Sequence, residues 1–174
     1  MNCYIKAEYS GSSYLINLAK LTDERTHIKV DTGAVITIIS LKALYPNVDD
    51  NTLKKYRETL LSKHRDKLLC PSPKSASGHD IECIPCIAKN VILHRTMIDE
   101  FYYYVALNVE TEKLLLGDDF LSCCKFEHAI KSDIEIMEFD IERYKQKFNI
   151  RNNYLLTMSE LNELCVGKET LYVE

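Results

Sequence analysis

Apolar and polar positions along the chain change period several times, and each change marks an element. Residues 27–30 (His-Ile-Lys-Val) alternate and run into Asp31-Thr32-Gly33. The β-branched stretch after them, residues 34–39 (Ala-Val-Ile-Thr-Ile-Ile), predicts a buried strand. Upstream, weak alternation over residues 3–9, a Ser10-Gly11-Ser12-Ser13 break and a second run over 14–18 predict a hairpin. The period then lengthens. Leu53, Tyr56, Leu60, His64 and Leu68 recur at helical spacing, so residues 51–69 predict an amphipathic helix capped by Asp50 or Asn51.

Residues 70–78, dense in Pro, Ser and Gly, predict loop. Residues 81–93 read as extended, with Pro85 confining them to a sheet edge or a hairpin arm. A strand with aromatic residues on both faces follows over 101–107, then a short apolar strand over 113–116 that ends at Gly117. Asp118 or Asp119 is positioned to cap a short helix over 120–124, and residues 134–139 alternate as a strand. Beyond residue 140, helical segments over 142–148 and 158–165 predict a C-terminal extension or a covering layer.

Composition narrows the class. The 174 residues are 46% hydrophobic and 28% charged, which fits one soluble domain with a modest appendage. No run of about 18 apolar residues suggests a membrane span. The first twenty residues lack a basic start and an unbroken apolar stretch, so no secretory leader is expected. Basic residues number 22 against 26 acidic, which argues against nucleic acid as a partner held by net charge. The helix at 51–69 departs from this balance: Lys54, Lys55, Arg57, Lys63, Arg65 and Lys67 outweigh Glu58 and Asp66. It reads as a solvated face, the alternative being a docking surface for an acidic partner.

Seven cysteines at irregular spacing read as reduced thiols of a cytoplasmic protein. Cys83 and Cys86 have CxxC spacing, but positions i and i+3 of a strand point to opposite faces and cannot share a metal. No metal site is expected, although a thiol or zinc protein centred on these two residues is a further reading. The Phe101-Tyr102-Tyr103-Tyr104 run reads as packing surface rather than a base-stacking platform. Gly117 lies in no phosphate-loop pattern.

The chemistry concentrates at Asp31. Gly33 permits a tight turn and close backbone approach, Thr32 sets a hydroxyl beside the acid, and Asp31 stands at a strand end, a rigid place for a catalytic group. Downstream, Ser75-Ala76-Ser77-Gly78 precedes an extended arm, and Leu114-Leu115-Leu116-Gly117-Asp118-Asp119-Phe120-Leu121 joins an apolar strand to a short helix. With Ile28-Lys29-Val30-Asp31-Thr32-Gly33-Ala34, this succession resembles the retropepsin family of aspartic proteases, over roughly residues 26–139.

That resemblance implies a mainly β fold: a single-lobe acid-protease β-barrel with an inserted amphipathic helix and a C-terminal helical extension. Residues 1–140 would form the protease domain, with 141–174 packed on it or on a dimer partner. Asp31 would be the catalytic aspartate. Thr32 would hydrogen-bond across a two-fold axis, Gly33 would supply the turn and contacts to substrate, and Ala34 would complete the supporting loop. Ser77 and Gly78 would lie near the tip of a flap closing over the peptide. Leu115, Leu116 and Gly117 would pack beneath the Asp31 loop as the Ψ-shaped element, and residues 111–113 would edge a substrate pocket.

Hydrolysis in that family needs two carboxylates sharing one proton. This chain has a single Asp-Thr-Gly and no Asp-Ser-Gly, so the second acid must come from a second copy. The expectation is a C2 homodimer that hydrolyses an extended peptide or protein and needs no cofactor. Viral members carry acidic residues after Asp-Thr-Gly-Ala and an arginine after the Ψ-loop glycine. Here Val35, Ile36 and Asp118 stand in those places. His79 and Asp80 also make the flap region polar. The alternative function is a catalytically silent dimer of the same fold that binds extended peptides.

Overall fold

The computed structural model describes residues 13–17, 28–31, 33–93, 96–129, 134–148 and 155–167. Along the chain these form β1 (Ser13–Asn17), β2 (Ile28–Val30), β3 (Ile38–Ser40), α1 (Leu41–Leu44), α2 (Asp50–His64) and a 3₁₀ turn (Arg65–Lys67). There follow β4 (Cys83–Leu93), β5 (Thr96–Ala106), β6 (Leu114–Leu116), α3 (Asp118–Leu121), β7 (Cys124–Ala129), β8 (Ile134–Asp140), α4 (Ile141–Phe148), β9 (Leu156–Thr157) and α5 (Met158–Cys165). Helices thus accompany a mixed sheet. Among the described residues, no helix is long and apolar enough to cross a membrane.

The most apolar stretch of the sequence becomes the spine of the molecule. β4 and β5 are eleven residues each and pair antiparallel from Cys83↔Ala106 to Leu93↔Thr96. The aromatic run Phe101 to Tyr104 is buried along β5. Pro85 sits in a hairpin arm, as expected, opposite Tyr104, and short β9 joins the far side of β4 only at Cys86 and Ile87. The six-stranded sheet has the order β2-β6-β3-β5-β4-β9, with β2–β6 and β3–β5 parallel. A second sheet, β1-β8-β7, is antiparallel. β1 therefore pairs with β8; the other arm of the expected N-terminal hairpin, residues 3–9, lies outside the described residues.

Four aromatic rings meet where the C-terminal half closes on this sheet. Phe120 stacks on Phe139 with ring centroids 4.4 Å apart, and Tyr144 meets both edge-on at 5.5 and 5.0 Å. Tyr102 lies 5.1 Å from the Tyr144 ring. The Tyr144 hydroxyl accepts from the Tyr102 N–H at 2.7 Å and donates to the Tyr102 carbonyl at 3.3 Å, so a buried phenol is satisfied by strand backbone. Leu156 and Leu161 enter the same core from β9 and α5.

The amphipathic helix is present with shifted ends. It starts at Asp50 with Asp49 as its cap, whose carboxylate accepts from the Thr52 N–H at 2.7 Å, and it gives way to the 3₁₀ turn after His64. Asp49 satisfies an amide of the first turn that Asp50, already helical, cannot reach. Leu60 and Leu61 form its buried face, and Arg57 donates to Glu82 at 3.0 and 2.7 Å. On α5 the Thr157–Glu160 capping box closes the N-terminus, and Asn162 accepts from the Tyr45 hydroxyl at 2.5 Å. The six described cysteines are all free thiols. Cys83 and Cys86 pack into separate buried clusters, consistent with opposite faces of β4, and burial pushes both thiols up to about 12.

Candidate active site

Two chain crossings, about 85 residues apart in sequence, build the site around Asp31. The first is β2 and the turn after it; the second is β6, Gly117 and α3. β2 lies parallel to β6, and the Asp31 N–H extends their ladder by donating to the Leu116 carbonyl at 3.0 Å. Asp31 is half-buried, and its Oδ1 accepts from the Gly33 N–H at 3.0 Å. The Ala34 N–H in turn donates to the Asp31 carbonyl at 3.1 Å, which tightens the turn. Among the described residues nothing donates to Asp31 Oδ2. Thr32 lies outside them.

Residues 34–37 do not continue as the predicted strand; regular pairing starts only at Ile38. The reason is that α3 claims their backbone. The Ala34 carbonyl accepts from the Asp118 N–H at 2.8 Å, and the Val35 carbonyl accepts from the Asp119 N–H at 3.2 Å. Amides of a helix N-terminus lack intrahelical partners, and here the Asp31 loop supplies them. The cap of α3 is accordingly Gly117, with no side-chain contribution, and the helix covers Asp118–Leu121 rather than 120–124.

Asp119, expected as a cap, turns inward. Its Oδ2 accepts from the Thr37 N–H at 3.0 Å, and its Oδ1 accepts from the Thr37 hydroxyl at 2.6 Å and the Phe120 N–H at 2.8 Å. The Thr37 hydroxyl also accepts from the Gly117 N–H at 3.1 Å, and the Thr37 carbonyl accepts from the Tyr104 N–H at 2.9 Å. Thr37 is fully buried with every polar group engaged, a bolt through both crossings. Burial pushes the Asp119 carboxyl above the usual carboxylate range, and the hydrogen bonds from Thr37 and Phe120 restrain that rise. From the sequence, Asp119 read as a helix cap and Thr37 as part of a strand, and neither was assigned to the site. The available signal was an acid set directly before the apolar pair Phe120-Leu121, where solvation is poor.

Removing the bolt has a calculable result. Thr37→Val keeps the shape but leaves the Gly117 N–H buried without its acceptor and deprives Asp119 of a short hydrogen bond. The expected loss is about 1–3 kcal/mol of stability by denaturant unfolding. Thr37→Ser, which keeps the hydroxyl, should recover most of it; equal losses in the two variants would deny the hydroxyl this role.

No family model matches the chain, and no curated protein matches it. Among solved structures, the chain is similar to a retropepsin-like aspartic protease from Rickettsia conorii. The two are 16% identical, the match covers 78% of this chain and 88% of that chain, and the TM-score is 0.34. The chemistry of the site therefore rests on its own residues.

The remaining expected site residues fall into two groups. Leu115, Leu116 and Gly117 meet the Asp31 loop: Leu115 pairs with Lys29 and Ile38, Leu116 is fully buried, and Gly117 approaches Ile36. Ser77 and Gly78 lie apart, in an exposed hairpin turn. There the Gly78 N–H donates to the Ser75 carbonyl at 2.9 Å, and the Ser75 N–H donates to the His79 carbonyl at 2.8 Å. Gly78 has φ +84°, a conformation other residues adopt only with strain. Lys74 and Asp80 close the base of this turn as a strand-like bridge and an ion pair. No hydrogen bond joins the turn to the Asp31 loop among the described residues.

A cavity of about 490 Å³ opens beside β2. It is lined by Ile28, Lys29, residues 110–113 and Leu115.

Proposed function

We propose that the chain is an aspartic endopeptidase that works as a C2 homodimer, with one Asp31 from each copy facing the other across the axis. The observation that supports it most directly is the presentation of Asp31. It stands at the end of a strand inside two interlocked loops, one carboxylate oxygen held by the Gly33 N–H and the other unengaged by the described residues. A carboxylate positioned this firmly has little freedom to lose when a second one approaches. In this reading the domain is a single acid-protease lobe, α2 is an insertion in it, and residues 75–78 are the tip of its flap.

The chemistry follows from two like charges sharing a small space. One Asp31 stays protonated while the other is ionised. The ionised carboxylate takes a proton from water as the water oxygen attacks the carbonyl carbon of the peptide bond. The protonated one donates to the carbonyl oxygen. When the tetrahedral intermediate collapses, the C–N bond breaks and a proton passes to the leaving nitrogen. The extended substrate would be gripped by strand addition, with backbone contacts from Gly33 and the flap.

Sedimentation and cleavage of a broad peptide library, run on the same samples, test this. The expected result is a dimer that cuts with a bell-shaped dependence between about pH 3 and 8. Its specific activity should fall on dilution as the dimer dissociates. Cleavage by a monomer, with specific activity constant on dilution, would overturn the reading. A persistent dimer that binds extended peptides and cuts none would instead identify the silent binding module.

A further inference from the structure

The reaction above makes no use of Asp119, yet this side chain anchors the far end of the loop that begins at Asp31. The near end is tied by the Ala34 N–H, which donates to the Asp31 carbonyl. The far end is tied by the bonds that Asp119 accepts from the Thr37 N–H and hydroxyl. Asp119 is only 7% exposed. Among the described residues no ammonium or guanidinium lies within ion-pair distance of its carboxylate. From α4, Lys147 reaches instead the main-chain carbonyl of Asp119 at 3.4 Å and the Ser122 hydroxyl at 3.0 Å, and the Tyr144 phenol is bonded to Tyr102. On its own helix Asp118 is exposed, and just beyond it the Cys123 thiol donates to the Asp119 carbonyl at 3.7 Å. Residues 34–37 bring no charge. An ionised Asp119 is therefore a buried charge that hydrogen bonds hold without a counter-charge.

We propose that Asp119 is a positioning residue for Asp31, acting through Thr37, and that a proton taken up by Asp119 on mild acidification makes its hold on the loop firmer. The inference rests on the peptidase reading only for its effect on cleavage; the effect on the fold stands without it. Asp119 Oδ2 accepts one bond among the described residues, from the Thr37 N–H, which leaves it a lone pair for the proton. A neutral carboxyl still accepts at both oxygens and no longer carries the cost of an uncompensated charge. Burial is the largest influence on Asp119 and sets its carboxyl above the range it has in the unfolded chain. The stability it contributes is thus complete below the unfolded value, about pH 3.9, and is lost as pH rises through the folded one.

Denaturant unfolding of the full chain and of Asp119→Asn, each from about pH 7 down to about pH 4, tests the effect on the fold. The amide cannot titrate, and its NH2 group meets the Thr37 N–H donor to donor, so the variant is the weaker protein throughout. Groups common to both cancel in the difference. The gap between the two midpoints should widen as pH falls; a gap that stays constant or narrows overturns the proposal. If Asp119→Asn does not fold, Thr37→Val decides. It removes the hydroxyl that donates to the ionised carboxylate, so the stability gained on acidification should set in at higher pH than in the parent, and an unmoved onset overturns the proposal. Cleavage supplies the positioning readout. Where both proteins are folded, Asp119→Asn should lower kcat about tenfold with KM within about threefold, and the neutral limb of the pH profile should move to higher pH. A parental kcat or an unmoved limb overturns the positioning role. If the parent cuts no peptide, the peptidase reading fails, and the midpoint gap still decides the proton-linked hold on the loop.

Discussion

If the chain is the dimeric peptidase proposed above, Asp31→Asn is expected to leave that dimer assembled and to reduce kcat/KM for peptide cleavage by about 10³-fold or more. The substitution is nearly isosteric, and the asparagine carbonyl can still accept the Gly33 N–H that Asp31 Oδ1 accepts now. The turn and the β2–β6 pairing therefore survive. What disappears is the ability to ionise: two asparagines facing each other hold no proton to share, so the base toward water and the acid toward the carbonyl are lost together. Sedimentation, peptide binding and turnover measured on one preparation separate these effects. A variant that retains its dimer and still cuts within tenfold of the parent would show that Asp31 is not the catalytic acid.

Gly117→Ala is expected to cost about 3 kcal/mol or more, because the added methyl has nowhere to go. A Cβ at this position would stand 2.3 Å from the Ile36 carbonyl oxygen, 2.5 Å from its carbon and 3.0 Å from the Ala34 oxygen. These are backbone atoms, so no rotamer change relieves the clash. The loop over residues 34–37 would have to move, and with it the hydrogen bonds that Ala34 and Val35 accept from Asp118 and Asp119. A chain of this size should lose roughly 6–12 °C of melting temperature. Cleavage should fall in the fraction that remains folded, since the same loop carries Asp31. Thermal unfolding with an unchanged midpoint would mean that the two loops are not in contact as described.

How much of this was legible in the residues depends on how local each signal is. That Leu115, Leu116 and Gly117 meet the Asp31 loop was expected from the family resemblance that the short motifs carry; the parallel pairing of β2 with β6 is seen only in the fold. The strands β4 and β5 were readable in outline from their apolar and aromatic runs, though not their pairing; α2 was readable from its helical spacing, and α4 and α5 as helical segments. The stretch 34–37 was misread for an identifiable reason. Val35, Ile36 and Thr37 have the branched shapes that favour strands, yet what holds Thr37 is a carboxylate 82 residues away. Propensity reports a side chain's fit to a pleated surface and is blind to such a partner. Asp119 was misread for the converse reason: next to a helix start, an acid resembles a cap, and only the fold shows that this one faces inward. Val35, 75% exposed beside the site, is the residual mark of the apolar run that did not become a strand.

The phenol of Tyr144 has a consequence for self-association. β3 covers β5 only over Tyr104–Ala106, and beyond it the same flank of β5 would offer backbone groups as a template on which a foreign strand could grow. Many proteins blunt such edges with lysine, proline or a bulge. Here α4 performs that task from outside the sheet: one hydroxyl occupies both the donor and the acceptor of Tyr102. The C-terminal segment thereby guards a long apolar hairpin against templating fibrous growth.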